Sequence, residues 1–532
     1  MRSCPIWPPD LFAVAGALIY RSGFYAELPA TAGWDKTKYL FGKSYKGDVE
    51  KIAKKWAETS IPPERLERLW GDLLKRSHLN PIDTRDKWHD AAMRLMAIAD
   101  CAATGVGFRP EDPTDYFPTL LYDEHVKVIS GRKSKILPYL PSSLCSAVPI
   151  DSACVQPKTM VPDVGCTLRS LSHNLALLPP KNIVDTSWLL MAPEKEGEGP
   201  LNLLLIPYPF VIDANDFLAH RPNKDRDGFF SFRAGWRDKD GRLVNAKKIA
   251  DSICLLLASA KRETANIHGV VLPETALTQT QASQVAAELA RRDKRLELFI
   301  SGIKSRETKT KTARNSAYTA RLYQGRILGH WLQSKHHRWG LDEGQIVRYH
   351  LGSVLDPEVK WWEKIDVSKR TCKFTVIRSG ASLAVLVCED LARADPVLPV
   401  VNSVGPNLLI TLLMDGPQLD FRWPSRYATV LADDPGSSVL TLTSLGMVRR
   451  STMPGEPDCR VIALWKEHDR AAQQLTLPKD DHALLLSLVS SYEEQTTLDR
   501  RDDGRTTQRF RLAAARGVKF DARKKPKWLR LD

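Results

Sequence analysis

Four stretches in the first hundred or so residues carry apolar side chains at spacings of three and four, the period of a helix with one buried face. They are Leu11–Arg21, Lys46–Ser60 (Val49, Ile52, Ala53, Trp56), Ser60 to about His78 (Leu66, Leu69, Trp70, Leu73, Leu74) and Asp83–Ala103 (Trp88, Ala91, Ala92, Leu95, Met96, Ala99). Asp10 is positioned to cap the first helix, and Ser60 with Pro62 and Glu64 marks the start of the third. Prolines then accumulate at Pro110, Pro113, Pro118, Pro138, Pro141, Pro149, Pro157 and Pro162, which predicts a linker or an extended wrapping segment. Beyond it the pattern changes. Asn202–Ile212, Val270–Leu277, Leu296–Ile303 and Leu383–Val387 are short apolar runs, as expected for strands buried on both faces. Helical periods at Asn245–Arg262 and Gln281–Arg292 alternate with them, which predicts an α/β fold.

Length divides this pattern into parts. A chain of 532 residues exceeds one ordinary core, so residues 1–160 read as a helical domain with a Pro-rich connector and 161–495 as the α/β domain. Residues 496–532 read as a basic tail. The net charge is +14, and Arg500–Asp532 alone carries 12 Lys/Arg against 4 Asp/Glu. Such a tail is either a solvated terminus or a handle for nucleic acid or another acidic surface. Nine cysteines without a C-x-x-C pair argue against a disulfide framework or a zinc site and fit a reducing, cytoplasmic setting. The apolar Leu11–Tyr20 run is too short to cross a bilayer, and a single Arg2 makes a poor signal-peptide leader.

The ends of three predicted strands carry chemistry. Ala381–Arg393 reads A-S-L-A-V-L-V-C-E-D-L-A-R, a buried strand that stops at Cys388 on a sharp turn toward a helix. Val270–Leu277, V-V-L-P-E-T-A-L, ends in Glu274, and Trp331–Trp339, W-L-Q-S-K-H-H-R-W, delivers Lys335 where the pattern turns polar. In chain order these are a carboxylate, an ammonium and a thiol. Cysteine is the strongest nucleophile of the hydroxyl and thiol side chains, and a nearby ammonium is expected to lower its pKa and support a developing oxyanion.

This order resembles the nitrilase (carbon–nitrogen hydrolase) superfamily, with its Glu, Lys and Cys triad. Asn315–Lys335 resembles that family's hairpin, reversing at Gln324-Gly325, and Val404–Met414, Arg422–Met447 and Val461–Trp465 resemble its later elements. The resemblance covers roughly residues 163–490 and implies a four-layer α-β-β-α sandwich that often pairs through its outer helices into a homo-oligomer. It implies Cys388 as nucleophile, Glu274 as general base and acid, and Lys335 as the positive partner. Glu343, eight residues beyond the lysine, takes the place of a supporting glutamate, and the Glu389 amide that of a second oxyanion donor. The implied activity is hydrolysis of a small amide-type substrate through a cysteine thioester, with no metal and no organic cofactor.

The C-E-D-L string resembles the glutamine amidase branch found in NAD synthetases, but no ATP-pyrophosphatase partner domain accompanies it. Arg393 reads either as a carboxylate binder or as an exposed helix residue. A different class of function is a regulatory scaffold touching nucleic acid through the tail, since nitrilase-like domains also accompany reverse transcriptases in bacterial antiphage systems. No polymerase motif supports it: Tyr427–Asp434, Y-A-T-V-L-A-D-D, has the wrong spacing.

Overall fold

The apolar runs pair side by side into two seven-stranded sheets. This computed structural model describes residues 3–27, 43–75, 87–108, 116–133, 139–189, 199–220, 227–308, 311–378, 380–453, 455, 457–502 and 506–531. From edge to edge the first sheet runs Arg326–Ser334, Asn315–Tyr323, Leu298–Lys304, Gly269–Thr278, Leu201–Leu205, Ala483–Glu494 and Thr506–Val518. The second runs Gln473–Thr476, Val461–Lys466, Ser438–Leu442, Leu408–Leu412, Ala381–Val387, Thr371–Ile377 and Asp185–Leu189. At the centre of each, three neighbouring strands are parallel.

Parallel strands with two apolar faces must be covered on both. Ala246–Ala260 and Gln279–Arg292 cover the first sheet, while Leu398–Val404 and Trp423–Asp433 cover the second. Leu203, Val271 and Ile300 of one sheet share a buried cluster with Val385, Ile410 and Leu442 of the other. The result is a four-layer α-β-β-α sandwich preceded by a helical region. A smaller four-stranded sheet, Gly340–Leu341, Trp361–Glu363, Gly228–Phe232 and Phe217–His220, sits on its own aromatic cluster of Phe217, Phe230, Trp339 and Tyr349.

The N-terminal helices are Pro8–Ser22, Lys43–Thr59, Glu64–Leu74 and Lys87–Ala102, close to the four stretches read from periodicity. Residues 76–78 and 83–86 of those stretches lie outside the described residues. The helices do not form a separate core. Leu11, Trp56, Leu66, Met96 and Ala99 share one apolar cluster with Phe374, Leu386, Leu409 and Val439 of the second sheet. Asp10 departs from its expected role as a cap. Trp7 is the N-cap, Pro8 and Pro9 fill the first turn, and the Asp10 carboxylate accepts the amides of Ser146, Ala147 and Val148. The proline-rich stretch is likewise more than a linker. Among the described residues it holds the Tyr116–Ile129 helix and the Cys154–Pro157 strand, while Pro110, Pro113 and Pro138 lie outside them.

The expected basic tail is also corrected. Thr506–Val518 is the edge strand of the first sheet, paired along its length with Ala483–Glu494. Its arginines are matched to acids: Arg509 and Arg511 meet Glu493, Arg516 meets Glu263, and Arg530 beyond the strand meets Asp213. Just before the strand, Arg501 is buried against Asp499 and Asp100, and it donates to the Leu171 carbonyl. Among the described residues no helix is long and apolar enough to cross a membrane.

Candidate active site

Glu274 lies within Gly269–Thr278 at an irregularity in the pairing with Leu298–Lys304, and the next residue, Thr275, has φ 54°. The backbone passes so close to Gly302 that a Cβ there would lie 2.3 Å from the Glu274 Cα, so only glycine fits. Lys335 follows the Asn315–Tyr323/Arg326–Ser334 hairpin, whose Gln324 (φ 47°) and Gly325 (φ 86°) both adopt the left-handed conformation of a tight two-residue turn. Cys388 ends the Ala381–Val387 strand at φ 49° and opens a short 3₁₀ turn, Cys388–Leu391. A non-glycine residue held at positive φ is strained, and such strain collects at functional sites.

These elements bring the expected acid and ammonium into contact. The Lys335 Nζ donates to Glu274 Oε1 at 2.9 Å and to Glu363 Oε2 at 2.8 Å, and all three side chains are buried. Asn315 Nδ2 donates to both carboxylates, at 2.7 Å to Glu274 and 2.8 Å to Glu363. The other oxygen of Glu274, Oε2, is buried and has no hydrogen bond among the described residues. Cys388, also buried, lies within electrostatic reach of Glu274 and Lys335. Asp390, two residues on, accepts the His336 amide at 3.0 Å and a His337 ring nitrogen at 3.0 Å, clamping the loop after the lysine to the cysteine turn.

The second carboxylate on the lysine is therefore Glu363. Glu343 instead opens the short Glu343–Arg348 helix and is exposed. Glu363 and Asn315 were missed: Glu363 belongs to a three-residue strand without periodicity, and the Asn315 carboxamide sits at the start of an otherwise apolar strand. His336 is buried, its Nε2 accepting the Thr371 amide, and Trp339 belongs to the aromatic cluster. Arg393 grips Glu389 at 2.8 Å. Glu389 and Trp362, chain neighbours of Cys388 and Glu363, line a cleft of about 470 Å³ together with Arg338, Glu343, Lys360 and Arg393.

Burial raises the Glu274 carboxyl above the ordinary range despite Lys335, and the Glu363 charge adds to the rise. Burial acts on Glu363 too, but Lys335 and the hydrogen bonds from Lys335 and Asn315 hold it below its ordinary value. Two carboxylates on one ammonium are thus driven apart, one toward proton exchange and one toward permanent charge. The Cys388 thiol also departs from expectation. Burial and Glu274 together outweigh Lys335, so it rises well above its ordinary value. A resting thiol of this kind needs a base to ionise it.

A pH profile separates the two acids. If Glu274 must be unprotonated to act, kcat/KM should fall with decreasing pH at a point above the ordinary glutamate range. Glu363→Gln removes one cause of the rise, so the acid limb should move to lower pH. An unchanged limb would show that Glu363 does not tune Glu274.

No protein-family model matches the sequence, and no curated protein matches it. Solved structures do. The chain is similar to Nit3 of Saccharomyces cerevisiae, described as a member of branch 10 of the nitrilase superfamily, at 14% identity over 56% of this chain and 93% of that one (TM-score 0.31). It is similar to a glutamine-dependent NAD(+) synthetase from Cytophaga hutchinsonii at 12% identity, over 54% of this chain and 43% of that one (TM-score 0.27). It is also similar to a carbon–nitrogen hydrolase from Helicobacter pylori at 13% identity, over 44% and 75% (TM-score 0.27). The chain's own architecture is two facing seven-stranded sheets between helical layers.

Proposed function

We propose that the protein is a carbon–nitrogen hydrolase that cleaves a small, non-peptide amide through a Cys388 thioester. The observation that carries this reading is the free, buried Oε2 of Glu274, beside a thiol, with Oε1 of the same carboxylate fixed by Lys335 and Asn315. A carboxylate so held has one oxygen available for a proton.

Glu274 takes the Cys388 proton as the sulfur bonds to the amide carbon. The carbonyl oxygen becomes negative and is met by the Lys335 ammonium and the Glu389 amide, which sits in the first turn of a 3₁₀ segment where amides lack an intrahelical acceptor. Glu274 then protonates the leaving nitrogen, the C–N bond breaks, and ammonia or an amine departs from a thioester. Water, giving its proton to Glu274, attacks the same carbon. The acid leaves, and the proton returns to sulfur. Lys335 stays charged throughout, because Cys388, Glu274 and Glu363 together overcome the burial that opposes its charge.

The test is intact mass spectrometry after incubation with a panel of primary amides, ureas and glutamine, alongside ammonia release. The expected result is ammonia release together with an acyl adduct that maps to Cys388. Absence of both across the panel, or an adduct on another residue, would refute the proposal.

A further inference from the structure

On the helix-covered side of the first sheet, a cleft of about 900 Å³ is built unlike the site above. Side chains alternate faces along a strand. Asn315 turns inward to Glu274, so Tyr318, three positions on, faces the opposite way and lines this cleft. Tyr318 is 2% exposed, yet among the described residues its hydroxyl has no hydrogen-bond partner. Its ring stacks on that of His330, with centroids 5.3 Å apart, and the His330 residue is exposed.

Two helices begin at this cleft. Asn245 caps Ala246–Ala260 and Thr278 caps Gln279–Arg292, each accepting only one first-turn amide. The remaining amides and both helix dipoles present positive charge to the same space. Arg306 adds a cation, and no aspartate or glutamate is among the described residues lining it. Leu243, Val244 and Leu332 give one wall an apolar surface, while Asn245, Gln279 and Gln284 supply carboxamides that can both donate and accept. The wall is fixed: Gln281 Nε2 donates to the Val244 carbonyl at 2.9 Å, pinning the loop to the helix.

We infer that this cleft binds a nucleotide, a phosphate joined to a planar ring. The helix N-termini and Arg306 receive the phosphate. The exposed face of His330, with Leu243 and Leu332, receives the ring, and the carboxamides read its edge. The Tyr318 hydroxyl, held protonated because burial raises it to about 12, donates to the ligand. The cleft falls within the roughly 300–1,000 Å³ typical of small-molecule sites.

Isothermal titration of the full chain with AMP, adenosine and inorganic phosphate tests this. AMP should bind more tightly than either fragment. Arg306→Gln and Leu243→Glu should each weaken AMP roughly tenfold or more, because one removes a charge-assisted contact and the other sets a carboxylate in the phosphate field. Both positions are exposed, and an unchanged thermal melt establishes that the variants remain folded. Cys388→Ala should leave AMP binding as it was. Failure of AMP to bind at millimolar concentration, equal binding of adenosine, indifference to both substitutions, or loss of binding in Cys388→Ala would each overturn the assignment.

Discussion

Cys388→Ala should reduce amide turnover by roughly a million-fold, the scale seen when the nucleophile of a covalent hydrolase is deleted. It should do so without unfolding the protein. The thiol is one small member of a large apolar cluster, and among the described residues no hydrogen bond depends on its sulfur. Lys335→Met is a less informative change. It removes oxyanion support, a loss of about 2.7–4 kcal/mol at comparable sites. It also leaves Glu274 and Glu363 buried with no ammonium between them, a situation that costs about 3–5 kcal/mol of stability. Lost activity in that variant would mix chemistry with misfolding. The check is single-turnover ammonia release with thermal melts of both variants. Retention of turnover by Cys388→Ala would end the thioester mechanism.

The second large effect is structural. Arg501→Met should destabilise the chain by about 3–5 kcal/mol, because it strands two buried carboxylates, Asp100 and Asp499. The loss should concentrate in the N-terminal helices. Asp100 also accepts the amides of His173, Asn174 and Leu175, and Tyr45 donates to Asp499. Hydrogen exchange should therefore speed up first in Lys43–Thr59 and Lys87–Ala102. A uniform change, or none, would mean that this cluster does not hold the helices to the sandwich.

Some of this was legible in the sequence because residue type and periodicity coincided. Glu274, Lys335 and Cys388 each stand where an apolar run breaks, and such a break is visible in one dimension, although the Glu274 break proves to be an irregularity inside Gly269–Thr278 and not the expected strand end. Glu363 was not, since W-W-E belongs to a small sheet ordered by aromatic packing, with too few residues to show a period. The family resemblance implies Glu343 as the supporting glutamate, yet it starts a helix on the surface. The Thr506–Val518 strand was hidden by its own charge. Arg509 and Arg511 raise the basic count of the segment, but both are consumed in ion pairs across the hairpin. Composition counts charges and cannot tell which of them will find a partner.

The Arg501 cluster also orders events during synthesis. Asp100 and Arg501 are 401 positions apart, so the helix that carries Asp100 lacks this buried counter-charge until 401 further residues have been made. Until then Asp100 sits in a half-finished interface, and a nascent chain stopped short of residue 501 carries an open seam along Lys87–Ala102.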